Sequence, residues 1–319
     1  MRGNKLDHLM TLQASVIICT HNPRPDYLER CLVALDRQTL SKDFWQLIIV
    51  DNASAPDKAP PKTYPWHPRA RVVSEPKLGL TPARLCGIRA AQGELLVFVD
   101  DDNVLDADFL ETALRIGWER PFLGSWSGQC RPEFEQPPPD WTRRYWGNLV
   151  IRQFDQDVWS NLPRLPDTMP CGAGLCVRRA AAQHYLFLHE CGKRSFQFDR
   201  AGNSLLSGGD NDLAACACDI GLGVGLISSL RLTHLIPKMR LTETYLTRLL
   251  EGITLTATIL DSERGLTPAQ RGFVGHVADF VRLLSSSGKD RAILRAVYRG
   301  RNRALQVIAA AQKKHIEDS

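Results

Sequence analysis

A chain of 319 residues has room for roughly two domains, and its 44% hydrophobic and 24% charged residues exclude a disordered or low-complexity chain. Nine cysteines, odd in number and without CxxC pairs, argue against a disulfide framework or a zinc site, and no apolar run approaches the roughly 18 residues of a membrane span. The net charge of +5 is confined to residues 289–319, where Lys289, Arg291, Arg295, Arg299, Arg301, Arg303, Lys313 and Lys314 face only Asp290, Glu317 and Asp318.

In chain order, the first stretch lacks the long apolar core of a signal peptide, so a soluble cytoplasmic protein is the expectation. The run SVIIC (15–19) predicts a buried strand, followed by a helix with Leu28, Cys31, Leu32 and Leu35 on one face. QLIIVD (46–51) predicts a second strand and, after a proline-rich connection, RVVSE (71–75) a third. Thr81 before Pro82 has the chemistry of a helix cap and first turn, and Gly93 that of a stop, which predicts a helix over 82–92. ELLVFV (94–99) is the fourth strand. Continuously apolar strands separated by helices belong in a parallel sheet covered on both faces.

From 120 to 170 the periodicity loosens around EQPPPDW and many aromatics, the pattern of a binding loop or irregular insertion. After 240, Leu241, Tyr245, Leu249 and Ile253 mark a long helix, and a basic helix follows over about 289–313. Ligands of open parallel sheets gather at the carboxyl ends of the strands. Thr20, His21 and Asn22 follow the first strand, Asp51 ends the second, and Asp100, Asp101 and Asp102 follow the fourth. Three adjacent carboxylates repel one another unless a counter-charge holds them. A hard cation, Mg2+ or Mn2+, would do so and bridge them to a diphosphate. The alternative is that they cap a helix starting near 106, although a cap needs one carboxylate and not three.

Five segments, SVIICTHNPRPDYLERCLVAL, QLIIVDNAS, EPKLGLTPARLCGIRAAQGELLVFVDDDN, CGAGLCVRR and SGGDNDLAACACDIGLG, resemble in order the motifs of family 2 glycosyltransferases with the GT-A fold, over about residues 14–240. The resemblance implies an α/β fold: a Rossmann-like nucleotide-binding sheet with helices on both faces, plus a helical C-terminal extension. Its divisions fall at 1–240 for the transferase domain, with a nucleotide half over 14–110 and an acceptor half over 111–240, and at 241–319 for the basic extension. It also implies an inverting, metal-dependent hexosyltransferase that moves a sugar from a nucleotide-diphospho-sugar to an acceptor hydroxyl, in cell-surface polysaccharide or glycan synthesis. Thr20, Asn22 and Asp51 match positions that hold base and ribose; Asp102 matches the metal ligand, with Mn2+ or Mg2+ as the cofactor; Asp100 and Asp101 share ribose and supporting roles.

Arg84 matches the arginine of the family's ARN helix, although Leu85 replaces the asparagine; its alternative is a solvated helix residue. Asp210 matches the catalytic base of an acidic Glu-Asp pair, with Gly209 in the glutamate position and Asp212 as a substitute partner. An aspartate near a helix N-terminus is favoured as the anion, and the same position is also that of a simple cap. CGAGLCVRR resembles the glycine-containing strand that lines the acceptor side. His234 lies where such enzymes place a further metal or diphosphate ligand, although a lone histidine is more often structural; Lys238 and Arg240 beside it would meet phosphate or solvent.

GLGVG (221–225) follows a helix and precedes a strand, the reverse of the order a dinucleotide fingerprint requires. A nucleotidyltransferase would carry a glycine-rich loop after the first strand, which THNPRPDY lacks. A catalytically inactive nucleotide-sugar binding module is the reading outside enzymes. The basic tail has too few interleaved aromatics for nucleic acid; peripheral contact with an anionic membrane face, where lipid-linked acceptors reside, or a solvated helical face suits it better.

Overall fold

The computed structural model describes residues 12–163, 165–194, 196–202, 204–266, 273–286 and 288–317. They form two compact units, one of residues up to Glu135 with Val150–Gln197 and Gly209–Ile236, the other of Gln136–Leu149, Phe198–Gly208 and residues from Pro237 onward.

The first unit is built on one sheet. Its strands are β1 (Ala14–Thr20), β2 (Trp45–Asp51), β3 (Ala70–Ser74), β4 (Leu95–Val99), β5 (Asn103–Leu105), β6 (Leu123–Phe134), β7 (Val158–Ser160), β8 (Leu175–Arg178) and β9 (Gly223–Ile236). Their order is β3-β2-β1-β4-β8-β6-β9-β5, with β7 on β9. The first four are parallel, as their unbroken apolar runs predict. β8 then runs antiparallel to β4 and β6, so the complete sheet is mixed.

Alternation along the strands sorts side chains into two cores. Ala14, Val16 and Ile18 of β1, Leu47 and Ile49 of β2, and Leu95, Val97 and Val99 of β4 enter one face, where α1 (Pro25–Asp36) supplies Leu28 and Leu35. Ile17, Ile48, Val50, Leu96 and Phe98 enter the other, against α2 (Leu80–Ala90). α3 (Phe109–Glu119) covers the first face, and α4 (Arg179–Glu190) and α5 (Gly209–Asp219) cover the second. Each strand thus lies between two helical layers, which is why it reads as a continuous apolar run.

Two sequence expectations shift. α2 is capped not at Thr81 but at Gly79, whose φ of 141° only glycine adopts easily, and Pro82 still sits in the first turn, where a missing N–H is harmless. Gly93 lies beyond the helix end; a Cβ there would come within 2.3 Å of the Ala14 carbonyl carbon, so this glycine serves close backbone approach. The region from 120 is also less irregular than its sequence. β6 pairs with β9 in a long parallel ladder, with a register shift around Gly128. Its sequence, LGSWSGQCRPEF, offers neither an apolar run nor clean alternation, so the pairing partner dictates the strand.

In the second unit, α6 (Glu243–Glu263), α7 (Phe273–Ser285) and α8 (Gly288–Glu317) form the helical extension. Arg299 and Arg303 of α8 both pair with Glu251 of α6, at 2.8 and 3.1 Å, so part of the basic charge is met internally. The side chains of Lys314, Glu317 and Asp318 lie outside the described residues, as does the stretch before residue 12.

Burial has a measurable consequence at His67, which is 2% exposed and set edge-on against Trp45. Desolvation lowers its pKa from the usual 6.5 to about 4. The unfolded chain therefore takes up a proton that the folded ring refuses, and stability is whole above about pH 6.5 and falls toward pH 4. The expected loss is about 3 kcal/mol, less in His67→Phe, as urea unfolding across that window would show.

Candidate active site

The parallel register places the ends of β1 and β2 side by side, with Thr20 opposite Asp51. Just beyond, Asn22 adopts a φ of 48°, a left-handed conformation that asparagine tolerates. Its N–H donates to Ser54 Oγ (2.9 Å), its Oδ1 accepts from Ala55 N–H (2.8 Å), and Asp51 Oδ1 accepts from Ser54 N–H (3.2 Å). Thr20, Asn22 and Asp51 are thus clasped into one loop cluster.

Asn52, which the motif reading passes over, braces that cluster. It is 3% exposed; its Nδ2 donates to the carbonyls of Glu75 (3.0 Å) and Lys77 (2.8 Å), and its Oδ1 accepts from Gly79 N–H (2.8 Å). One side chain therefore ties the end of β2 to the start of α2.

The three aspartates form the turn after β4. Asp101 accepts a hydrogen bond from Thr20 Oγ1 at 2.5 Å, joining this turn to the β1 end. Asn103, fully buried, donates from N–H to the Asp100 carbonyl (3.0 Å) and from Nδ2 to Asp102 Oδ1 (3.0 Å), while its Oδ1 accepts from Asp100 N–H (3.2 Å). The aspartates do not cap the next helix, since β5 intervenes and α3 begins at Phe109 behind Asp108.

β5 pairs with β9, and the register sets Asn103 opposite His234. The Asp102 carbonyl accepts Leu235 N–H at 2.9 Å, which brings His234 Nε2 to 3.5 Å from Asp102 Oδ2, both residues being buried. Residues 132 positions apart in sequence are thereby adjacent in space.

A carboxylate and an imidazole held side by side, with Asn103 fixing the other carboxylate oxygen, fit a divalent cation. Among the described residues no group of three or more acidic, histidine or cysteine side chains forms a complete cage.

The second cluster joins α2, the turn before β8 and α5. Arg84 is 4% exposed, so it is not the solvated helix arginine of the alternative reading. Asp210, in the first turn of α5, accepts the Gly172 N–H on Oδ2 at 2.7 Å. Gly172 lies beside both: a Cβ there would stand 3.2 Å from Arg84 Nη2 and 3.2 Å from Asp210 Oδ2. Asp212, the substitute partner considered for Asp210, is fully buried and held by Arg194 through Nε (2.9 Å) and Nη2 (3.1 Å), a forked ion pair. Lys238 and Arg240 belong to the second unit.

Comparison with known proteins bears on this geometry. Residues 15–164 match the family Glycosyl transferase family 2. Over 108 residues the chain is 32% identical to a Bacillus subtilis (strain 168) protein named as a glycosyltransferase, EpsH, covering 33% of this chain and 30% of that one. Over 117 residues it is 29% identical to an N-acetylglucosaminyltransferase of Bradyrhizobium elkanii, covering 36% of this chain and 64% of that one. The match spans less than two thirds of either relative.

Among solved structures, the mannosyltransferase PcManGT from Pyrobaculum calidifontis, in complex with GDP-Man and Mn2+, is similar at TM-score 0.52 and 18% identity, covering 96% of this chain and 76% of that one. S. aureus TarS 1-349 in complex with UDP is similar at TM-score 0.50 and 13% identity, covering 96% of this chain and 92% of that one. The fold of this chain is that of GT-A glycosyltransferases. Among its described residues no helix is long and apolar enough to cross a membrane.

Proposed function

We propose that this protein is an inverting transferase that moves a sugar from a nucleotide-diphospho-sugar to an acceptor hydroxyl, in polysaccharide or glycan synthesis. The observation that carries the reading is the pairing of Asp102 with His234 at 3.5 Å, at the strand edge where Thr20, Asn22 and Asp51 also meet. A family resemblance alone does not require those two residues to meet; a cation-assisted site does.

In this reading Thr20, Asn22 and Asp51 hold base and ribose, and Asp100 and Asp101 complete the ribose side. Asp102 and His234 would hold Mn2+ or Mg2+, which would supply positive charge beside the diphosphate. Asp210 takes the proton of the acceptor hydroxyl as its oxygen bonds to the anomeric carbon. The bond from that carbon to the diphosphate breaks on the opposite face, and the nucleoside diphosphate leaves with the electron pair. That relatives carry sugar-transferase names, and that PcManGT is bound to GDP-Man and Mn2+, supports the donor class and the metal.

The test is stereochemical. With a panel of α-linked nucleotide sugars and Mn2+, proton NMR of the product of the active donor should show a β linkage. An α linkage from an α donor would abandon inversion and, with it, the single-base mechanism.

A further inference from the structure

We infer that Gly172 is a positioning residue for the transfer, its backbone N–H aiming the Asp210 carboxylate and its bare Cα keeping open the space beside Arg84. The inference rests on the reading of Asp210 as the base. Gly172 N–H reaches Asp210 Oδ2 at 2.7 Å, and a methyl group on Gly172 would meet Asp210 Oδ2 and Cβ at 3.2 and 3.3 Å and Arg84 Nη2 at 3.2 Å. Contacts that tight require the carboxylate or the guanidinium to give by a few tenths of an ångström.

The turn that presents this amide is itself fixed. Cys171 N–H donates to Ser127 Oγ at 3.2 Å, and Ser127 is fully buried on β6. Leu175 N–H returns to the Gly172 carbonyl at 3.3 Å, and Arg152 Nη1 holds the Met169 carbonyl at 2.8 Å. Gly174 closes the turn at a φ of 65°, where a Cβ would strike Leu232 Cδ2 at 2.7 Å. From this braced turn the Gly172 N–H reaches α5 at Asp210.

The arrangement also answers a peculiarity of this sequence. Gly209 precedes Asp210 where an acidic neighbour would stand, and Asp212 is committed to Arg194. Backbone amides orient Asp210, Gly172 N–H on Oδ2 and Asn211 N–H on Oδ1 at 3.0 Å. Each oxygen still keeps a lone pair for an acceptor hydroxyl. Misplacing a reacting group by about 1 Å costs on the order of 100-fold in rate.

The experiment compares Gly172→Ala, Ser127→Ala and Asp210→Asn with the unaltered full chain. It measures kcat and acceptor KM for transfer, nucleoside diphosphate binding by calorimetry with Mn2+, and the thermal midpoint. Gly172→Ala should lower kcat roughly 3- to 10-fold with diphosphate affinity unchanged within about twofold, and Ser127→Ala should do the same more weakly. Unchanged kcat in Gly172→Ala, or parallel loss of transfer, diphosphate binding and thermal stability, overturns the positioning role. If Gly172→Ala does not fold, Ser127→Ala decides by the same criteria. Full activity in Asp210→Asn instead removes the base assignment, a failure distinct from that of the glycine.

Discussion

Asp102→Asn should bind nucleoside diphosphate in the presence of Mn2+ on the order of 100-fold more weakly than the unaltered chain, and its transfer rate should fall at least as far. The substitution keeps the volume of the side chain and leaves the backbone bond from Leu235 N–H to the Asp102 carbonyl, so β5 and β9 stay paired. What it removes is the charge. An amide cannot neutralise a divalent cation, and His234 alone is a poor site for a hard ion that prefers oxygen. Calorimetry of Mn2+ with a nucleoside diphosphate, at fixed ionic strength, reads the loss directly. Binding within a factor of two of the unaltered chain would take Asp102 out of the metal site.

How much of this was legible in the chain depends on the residue. β1, β2, β4 and α1 announce themselves, because both-face burial demands unbroken apolar runs and an amphipathic helix demands Leu28, Cys31 and Leu35 on one stripe. The acidic turn was legible for an electrostatic reason, since carboxylates do not cluster at a strand end without purpose. β6 was not legible, because its stability comes from a ladder with β9 about 100 residues away, and nothing local in LGSWSGQCRPEF records that pairing.

The site divides in the same way. Asp102, His234, Arg84 and Asp210 stand in motifs and could be named one at a time, but not paired. The Asn103–His234 register joins the first two, and the turn at Gly172 joins the others. Asn52 and Asn103 act wholly through hydrogen bonds to backbone and to neighbouring side chains. A lone asparagine carries no periodicity, although its place directly after an aspartate in both VDN and DDDN was a usable sign. The ion pair of Asp212 with Arg194 was not legible either, since the two stand in separate segments and neither carries a periodic signal.

Asp210→Asn carries the second large effect. The substitution retains shape, and its amide oxygen still accepts the Gly172 N–H, so the turn at Gly172 keeps its bond while the one from Asn211 N–H is given up. It cannot accept a proton. Removal of a general base costs about 100- to 10,000-fold, and the loss should fall on kcat while donor affinity holds. The phosphate end of the site, built on β4, β5 and β9, shares no side chain with Asp210 in this account, which is why the two substitutions separate binding from chemistry.

The most direct test is therefore the turnover of Asp210→Asn with saturating donor, acceptor and Mn2+, measured beside its calorimetric affinity for the nucleoside diphosphate. The account predicts transfer at no more than about one hundredth of the unaltered rate with affinity unchanged within about twofold. Transfer at the full rate with that affinity intact would contradict it.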